Sequence, residues 1–392
     1  MIFYSLNTVF FRNLTNTTLF VGGKDVFLVG KNGQGKTNFL EALYVAAYGS
    51  SFRSSPDGEL ARTGEKSYAV RVEIGPGPGD DPGLLRHELH IKYEKSKKTV
   101  FLDGKRVEDR RDLISVIPCV VFCHEDMEFI SGSPERRRWF FDQSLSLCDS
   151  LYLDDLRNFR RILKSRNAVL RENGPGGASS GILDALDPQL AAYGLKLMEQ
   201  REKTVETFSA LFEPLYREVS GIQGITIRYR PSWKPRDMDG VAALLAERRE
   251  ADCSAGLSLT GPHRDRYIFC RGTEEFAGKA STGQRRLLAL LLRAAQARIF
   301  SGSTGKNPVL LLDDVLLEMD GEKRRRFLSV MPVYDQAFYT FLPEEPYGRY
   351  IQNPRTAAED EQAGQFARDR QAGTLVYCIE DGVPRRKDET GG

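Results

Sequence analysis

The stretch Val26-Phe27-Leu28-Val29-Gly30-Lys31-Asn32-Gly33-Gln34-Gly35-Lys36-Thr37-Asn38-Phe39-Leu40-Glu41-Ala42-Leu43-Tyr44-Val45-Ala46-Ala47 decides the fold. Its first four residues form a short apolar β-run, and residues Asn38 to Ala47 have helical composition and spacing. Between them, Gly30 to Thr37 fits G-x-x-x-x-G-K-[ST], a phosphate-binding loop in the strand–loop–helix context it requires. Glycines there let backbone N–H groups turn toward phosphate oxygens, and the helix N-terminus adds partial positive charge. Lys36 is expected to neutralise β- and γ-phosphates, and Thr37 to ligate Mg²⁺.

Such a loop needs a second magnesium anchor at a neighbouring strand end. Val309-Leu310-Leu311-Leu312-Asp313-Asp314 supplies it, since four apolar residues suit a strand buried on both faces of a parallel sheet. Asp313 is the expected Mg²⁺ ligand through water, and Asp314 the group that orients or deprotonates the attacking water. Upstream, Ser281-Thr282-Gly283-Gln284 precedes an Arg-rich amphipathic helix and resembles the ABC-type signature, which holds the γ-phosphate carried by the opposite protomer's loop. Asp320 resembles the D-loop carboxylate that crosses such a dimer interface. The span from Lys36 to Asp313 is too long for a minimal transporter cassette and too short for long coiled-coil arms, so a compact helical lobe must fill it.

Composition agrees with a globular, multidomain chain: 392 residues, 41% hydrophobic, 28% charged, net charge +2. No apolar run reaches membrane-spanning length, and the N-terminus lacks the basic flank of a secretion signal, so a cytoplasmic location without membrane contact is expected. Six cysteines lack paired zinc spacing and read as buried free thiols. A charge near neutral means that nucleic-acid contact must come from a local patch. Residues 131 to 172 hold nine basic and six acidic side chains. Arg157, Arg160, Arg161 and Lys164 recur at helical steps there and could present one face to phosphates; a solvated helix face is the competing explanation. For Arg136 to Arg138 the alternative is pairing with acidic groups.

Long amphipathic segments occupy Glu135 to Ser146, Ser150 to Glu172, Leu183 to Ser220 and Val241 to Arg249; short strands are expected at Leu257-Ser258-Leu259 and at Tyr267 to Cys270. The glycine- and proline-rich run Gly75 to Gly83 reads as a hairpin tip, and Thr374 to Ile379 as a strand. The expected domains are 1–133, with the phosphate loop; 134–254, a helical insertion; and 255–392, with signature, acidic strand and C-terminal strand.

These motifs together resemble the bacterial RecF family. The likeness runs through Phe11-Arg12-Asn13, the loop from Asn32 to Asn38, Gly49-Ser50-Ser51-Phe52-Arg53, Glu125-Asp126, Arg136-Arg137-Arg138, Gly261-Pro262-His263-Arg264-Asp265, Ser281 to Gln284 and Leu311 to Leu316. The resemblance implies an α/β fold, a P-loop ABC/SMC-like ATPase head with a helical second lobe inserted before the signature motif. It further implies ATP and Mg²⁺ as cofactors, with Gly30, Lys31, Asn32, Gly33, Gln34, Gly35, Lys36, Thr37, Asn38, Gly283, Gln284 and Asp320 around the nucleotide, Thr37 and Asp313 on the metal, and Asp314, Lys36 and Ser281 in catalysis. The implied partners are double-stranded DNA and single-strand/double-strand junctions, a second copy in an ATP-dependent homodimer, and RecR- and RecO-type mediators. The implied role is slow ATP hydrolysis coupled to DNA release in recombinational repair, replication-fork maintenance and the SOS response. The sequence departs from the family at His124, where proline is favoured, at Phe341-Leu342-Pro343, which leaves Thr340 as the candidate γ-phosphate switch, and over the polar stretch Asn353 to Gly373. The alternatives are an ABC-type ATPase that energises a transporter, which would need no helical insertion, and a small-molecule kinase, which would have no use for Ser281 in trans.

Overall fold

The computed structural model describes residues 1–53, 56–77, 85–109, 112–113, 116–175, 181–316, 319–345 and 373–387. Leu317 and Glu318, the connection over residues 78–84, and nearly all of the Asn353 to Gly373 stretch lie outside them.

In chain order, β1 (Ile2–Val9), β2 (Thr17–Phe20) and β3 (Asp25–Val29) precede α1 (Lys36–Tyr48). Then follow β4 (Tyr68–Gly75), β5 (His87–Glu94), β6 (Lys97–Leu102), β7 (Lys105–Arg106) and β8 (Cys119–Phe122). Helices α2 (Pro134–Cys148), α3 (Ser150–Asn173) and α4 (Gly181–Ser220) come next, with β9 (Ile225–Arg230), α5 (Met238–Ala255), β10 (Arg266–Arg271), β11 (Glu274–Glu275) and α6 (Thr282–Thr304). The remaining elements are β12 (Val309–Leu312), α7 (Gly321–Ser329), β13 (Gln336–Phe341), β14 (Thr374–Glu380) and β15 (Val383–Arg386).

Two compact units result, Met1–Glu125 with Phe300–Gly392, and Asp126–Ile299. Sequence reading cuts the chain at 134 and 255 instead; the three-stranded sheet β11-β10-β9 and most of α6 belong to the second unit. The first unit holds two six-stranded sheets, β2-β1-β4-β5-β6-β7 and β15-β14-β3-β13-β12-β8. In the second of these, β3 lies between β14 and β13, and β12 between β13 and β8, all parallel. Parallel central strands are covered on both faces, and Val26 to Val29, Val309 to Leu312 and Gln336 to Phe341 are accordingly buried throughout. Helix α1 is buried from Phe39 to Tyr48 and stops at Gly49, whose φ of 63° only glycine adopts freely.

The second unit packs α3, α4 and α5 around Leu156, Phe159, Ile162, Leu190, Leu197, Met198 and Trp233. Gly194 of α4 is required there, because a Cβ would lie 2.3 Å from the Trp233 ring. Buried Arg166 ties three segments together through Asp187 (2.7 Å), Asp252 (2.7 Å) and Ser258 Oγ (2.8 Å).

The expected strand Leu257-Ser258-Leu259 is a loop. Its N–H groups are consumed locally, Leu257 N–H donating to Asp252 O (3.1 Å), Ser258 N–H to Asn167 Oδ1 (2.8 Å) and Leu259 N–H to Asp252 Oδ1 (2.9 Å), which leaves no ladder to form. Conversely, β9 interrupts a region read as helical. Ile225, Ile227 and Tyr229 turn inward while Thr226, Arg228 and Arg230 face out, a period of two within six residues. The separate runs Ile2 to Leu6 and Thr8 to Phe11 merge into β1, with Asn7 bonded to Thr18 of β2 (2.7 Å).

Candidate nucleotide-binding site

The loop after β3 turns into α1 through Gly33 (φ 80°) and Gly35 (φ 111°), conformations costly for residues with a Cβ. Lys31, Asn32, Gly33, Gly35, Lys36, Thr37, Asn38, Arg53 and Asp314 line a cleft of 270 Å³. Lys36 is almost fully buried; its ammonium donates to Gly30 O (2.7 Å) and lies 3.9 Å from Asp314 Oδ1. Thr37 Oγ1 donates to Asp313 Oδ1 (2.9 Å), so the two expected metal ligands meet across 276 residues of chain. Both are hard oxygen donors, the set that Mg²⁺ prefers.

Thr340, at the end of β13, bridges the acidic pair. Its hydroxyl accepts from Asp314 N–H (2.7 Å), donates to Asp314 Oδ1 (2.7 Å) and stands 3.3 Å from Asp313 Oδ1. Asp314 has a φ of 51°, a strained value for a non-glycine residue, and the Thr340 contact fixes it. Burial, and then the neighbouring Asp314 charge, push the Asp313 carboxyl up to about 6, against the Thr37 hydrogen bond and the more distant Arg53.

Two expected binders face elsewhere. Gly30 uses its carbonyl to hold Lys36, and Gln34 is clamped by the β14–β15 turn: Asp381 N–H donates to its side chain and Gly382 N–H to its carbonyl (3.0 Å). That turn, Asp381-Gly382, has φ values of 48° and 76°, the paired positive values of a tight hairpin. Two residues absent from the expected set support the cleft, Arg53 lining it and Asn13 bracing its loop. Asn13 donates to Gly33 O (3.2 Å) and accepts from Asn38 (2.7 Å), bolting the loop to the helix. Arg53 donates to Asn38 Oδ1 (3.0 Å) and lies 3.6 Å from buried Glu41, which also takes a two-toothed bond from Arg12. The signal in the sequence was the pair of segments around Arg12-Asn13 and Gly49 to Arg53, which carry no standard phosphate-loop pattern.

In the second unit, Ser281 and Gln284 form a capping box. Ser281 N–H donates to Gln284 Oε1 (2.8 Å) and Gln284 N–H to Ser281 Oγ (3.3 Å), with Gly283 between them. In the first unit, Asp320 caps α7 through Lys323 N–H (2.9 Å) and pairs with the Lys323 ammonium (2.7 Å). Arg157, Arg160, Arg161 and Lys164 are all exposed on α3, with Arg157 3.8 Å from Asp154 and Arg160 3.4 Å from Asp142. Arg136 pairs with Glu128 (2.8 Å), whereas Arg137 and Arg138 donate to backbone carbonyls of Tyr267 and Asp265. His263 is packed: Nε2 lies 2.9 Å from Ser258 O, and burial lowers its pKa to about 4, which keeps the ring neutral.

A family model described as AAA domain, putative AbiEii toxin, Type IV TA system matches residues 26–340. The DNA replication and repair protein RecF of Treponema pallidum (strain Nichols) is 43% identical over 345 residues, which cover 88% of this chain and 95% of that one. The chain belongs to the RecF family. The RecF of Moorella thermoacetica is 34% identical over 313 residues, covering 80% of this chain and 82% of its own. In fold, the chain matches the solved recombination mediator RecF-ATP of the RecFOR pathway with a TM-score of 0.83 at 24% identity, over 98% of this chain and 97% of that one. An Smc head bound to the C-terminal winged-helix domain of ScpA matches at 0.51 and 15%, over 98% and 96%. The expected ABC/SMC-like head is therefore the fold, the chain is an ATPase of DNA replication and repair, and the transporter alternative is not favoured. Among the described residues no helix is long and apolar enough to cross a membrane.

Proposed function

We propose that this chain is an ATP-gated DNA clamp: ATP with Mg²⁺ joins two copies on double-stranded DNA, and slow hydrolysis releases them. The observation that carries the reading is the cluster of Lys36, Thr37, Asp313, Asp314 and Thr340 around one cleft, where each member already holds the next. Lys36 exchanges Gly30 O for β- and γ-phosphate oxygens, and backbone N–H groups of Asn32 to Thr37 cradle the rest. Thr37 and, through water, Asp313 would hold Mg²⁺, which would supply charge neutralisation at the phosphates. Arg53, braced by Asn38 and Glu41, adds a cation at the rim. Asp314 orients the attacking water and accepts its proton, with Thr340 fixing the carboxylate.

Ser281, Gly283 and Gln284 lie at the exposed start of α6, where N–H groups and the helix dipole suit the γ-phosphate held by a second copy. Asp320 would meet the same interface. Arg157, Arg160, Arg161 and Lys164 contact DNA phosphates, and RecR- and RecO-type mediators use the clamped form at single-strand/double-strand junctions to load recombinase. ATP hydrolysis measured with and without duplex DNA tests the reading: stimulation supports it, and an unchanged rate with no DNA retention contradicts it.

A further inference from the structure

The segment Gly261-Pro262-His263-Arg264-Asp265-Arg266 is not among the residues that line the nucleotide cleft, and a buried hydrogen-bond network holds it. Gly261 takes a φ of 133°, and a Cβ there would lie 3.1 Å from His263 Nδ1. Arg201 donates to Pro262 O (2.7 Å) and to Asp265 Oδ2 (2.8 Å), while Tyr229 and Ser232 N–H complete the Asp265 carboxylate. Asp265 is fully buried, whereas Arg264 and Arg266 on either side of it point to solvent. The one carboxylate in the segment is thus withdrawn from the two guanidiniums beside it.

Strand pairing adds a third cation. Arg266 of β10 stands directly opposite Arg230 of β9. Like charges so placed repel and weaken a sheet. Arg230, Arg264 and Arg266, with Pro231, Ser232 and Leu259, line an open cleft of 420 Å³. Among the described residues, none of the three guanidiniums has a hydrogen-bond or ion-pair partner. The neighbouring residue His263 lines a second cleft in which Arg138, Arg160 and Arg201 stand beside the carboxylates of Glu135 and Asp142.

We propose that the cleft of Arg230, Arg264 and Arg266 is a phosphodiester-binding surface for duplex DNA, resting on the DNA-binding reading above. Three uncompensated cations, one on the turn and two on the adjoining strand ends, suit a ligand with repeated charges, and a duplex presents one charge per roughly 1.7 Å of axis. The surface meets the DNA backbone and carries no sequence information.

The test is fluorescence anisotropy of the full chain with ATP on labelled duplex across a salt series. Replacing Arg230, Arg264 and Arg266 together by Gln should weaken binding and flatten the log affinity–log salt slope by about 0.9 for each phosphate no longer neutralised. Replacing all three by Lys should retain most of the slope. The Gln variant should melt no lower than wild type, since it removes the repulsion between Arg266 and Arg230. Wild-type affinity and slope in the Gln variant overturn the proposal while leaving DNA binding elsewhere intact. A wild-type chain that does not bind duplex overturns this proposal and the DNA-binding reading together. Loss of polyglutamate binding by the Gln variant with duplex binding unchanged would assign the cleft to an acidic protein and also overturn it.

Discussion

The phosphate loop and the Ser281 turn are both helix starts, and they differ in how much of their chemistry is finished within the chain. Around the loop, Lys36, Thr37, Asp313 and Asp314 are buried or bridged, each by a partner far away in sequence or folded back onto the loop itself. At the start of α6, Ser281 and Gln284 bond each other, and Gly283 is exposed. A buried lysine or carboxylate must be paired where it stands, so the loop site comes prearranged. An exposed cap needs nothing further and can await an anion from outside. Under the proposed reading, the first half binds nucleotide alone, and the second acts only when a second copy brings the phosphate.

Lys36→Ala should break the loop half outright. It removes the side-chain cation at the β/γ-phosphates, and ATP affinity measured at equilibrium should fall at least ~100-fold, about 2.7 kcal/mol. Wild-type affinity in this variant would mean that the loop does not work as described. Ser281→Arg should break the other half alone: monomer ATP binding persists within about twofold, but sedimentation with ATP shows no dimer. A variant that still dimerises and turns over normally would make the capping box purely structural.

Thr340→Val sharpens the loop half. Without the hydroxyl, Asp314 N–H loses its acceptor and the carboxylate its brace, so kcat should drop by about tenfold with ATP affinity little changed. Equal losses in both would place Thr340 in binding rather than in water positioning. A graded effect concerns pH. Because Asp313 has a raised pKa of about 6, Mg²⁺-dependent ATP binding should weaken as pH falls through 6, approaching tenfold per unit. The metal-free fold should respond oppositely, since a buried carboxyl with a raised pKa costs stability above 6 and regains it as pH falls toward 3.8. Asp313→Asn should remove both dependences, read by calorimetry and by thermal melts across pH 5 to 8.

The loop, the acidic strand and the Ser281 helix start were legible because each packs its pattern into a few consecutive residues, the signature role of that helix start being part of the proposed function. Asn13, Arg53 and the Asp381-Gly382 turn were not, since they reach the loop through contacts that sequence spacing does not encode. The strand β9 hid between long helices because six residues of alternation carry a weak signal there. Leu257-Ser258-Leu259 looked like a strand by composition, and side-chain acceptors from Asn167 and Asp252 overrode it.

The coupling of hydrolysis to DNA release is tested most directly by the dwell time of Asp314→Asn on duplex DNA under saturating ATP. The substitution keeps size and hydrogen bonding to Thr340 but removes the charge that takes the water's proton, so nucleotide should persist between two copies. Single-molecule imaging should show dimers remaining on the duplex far longer than wild type, in proportion to the loss in kcat. A variant that leaves DNA as quickly as wild type, although its hydrolysis has slowed, would contradict the account.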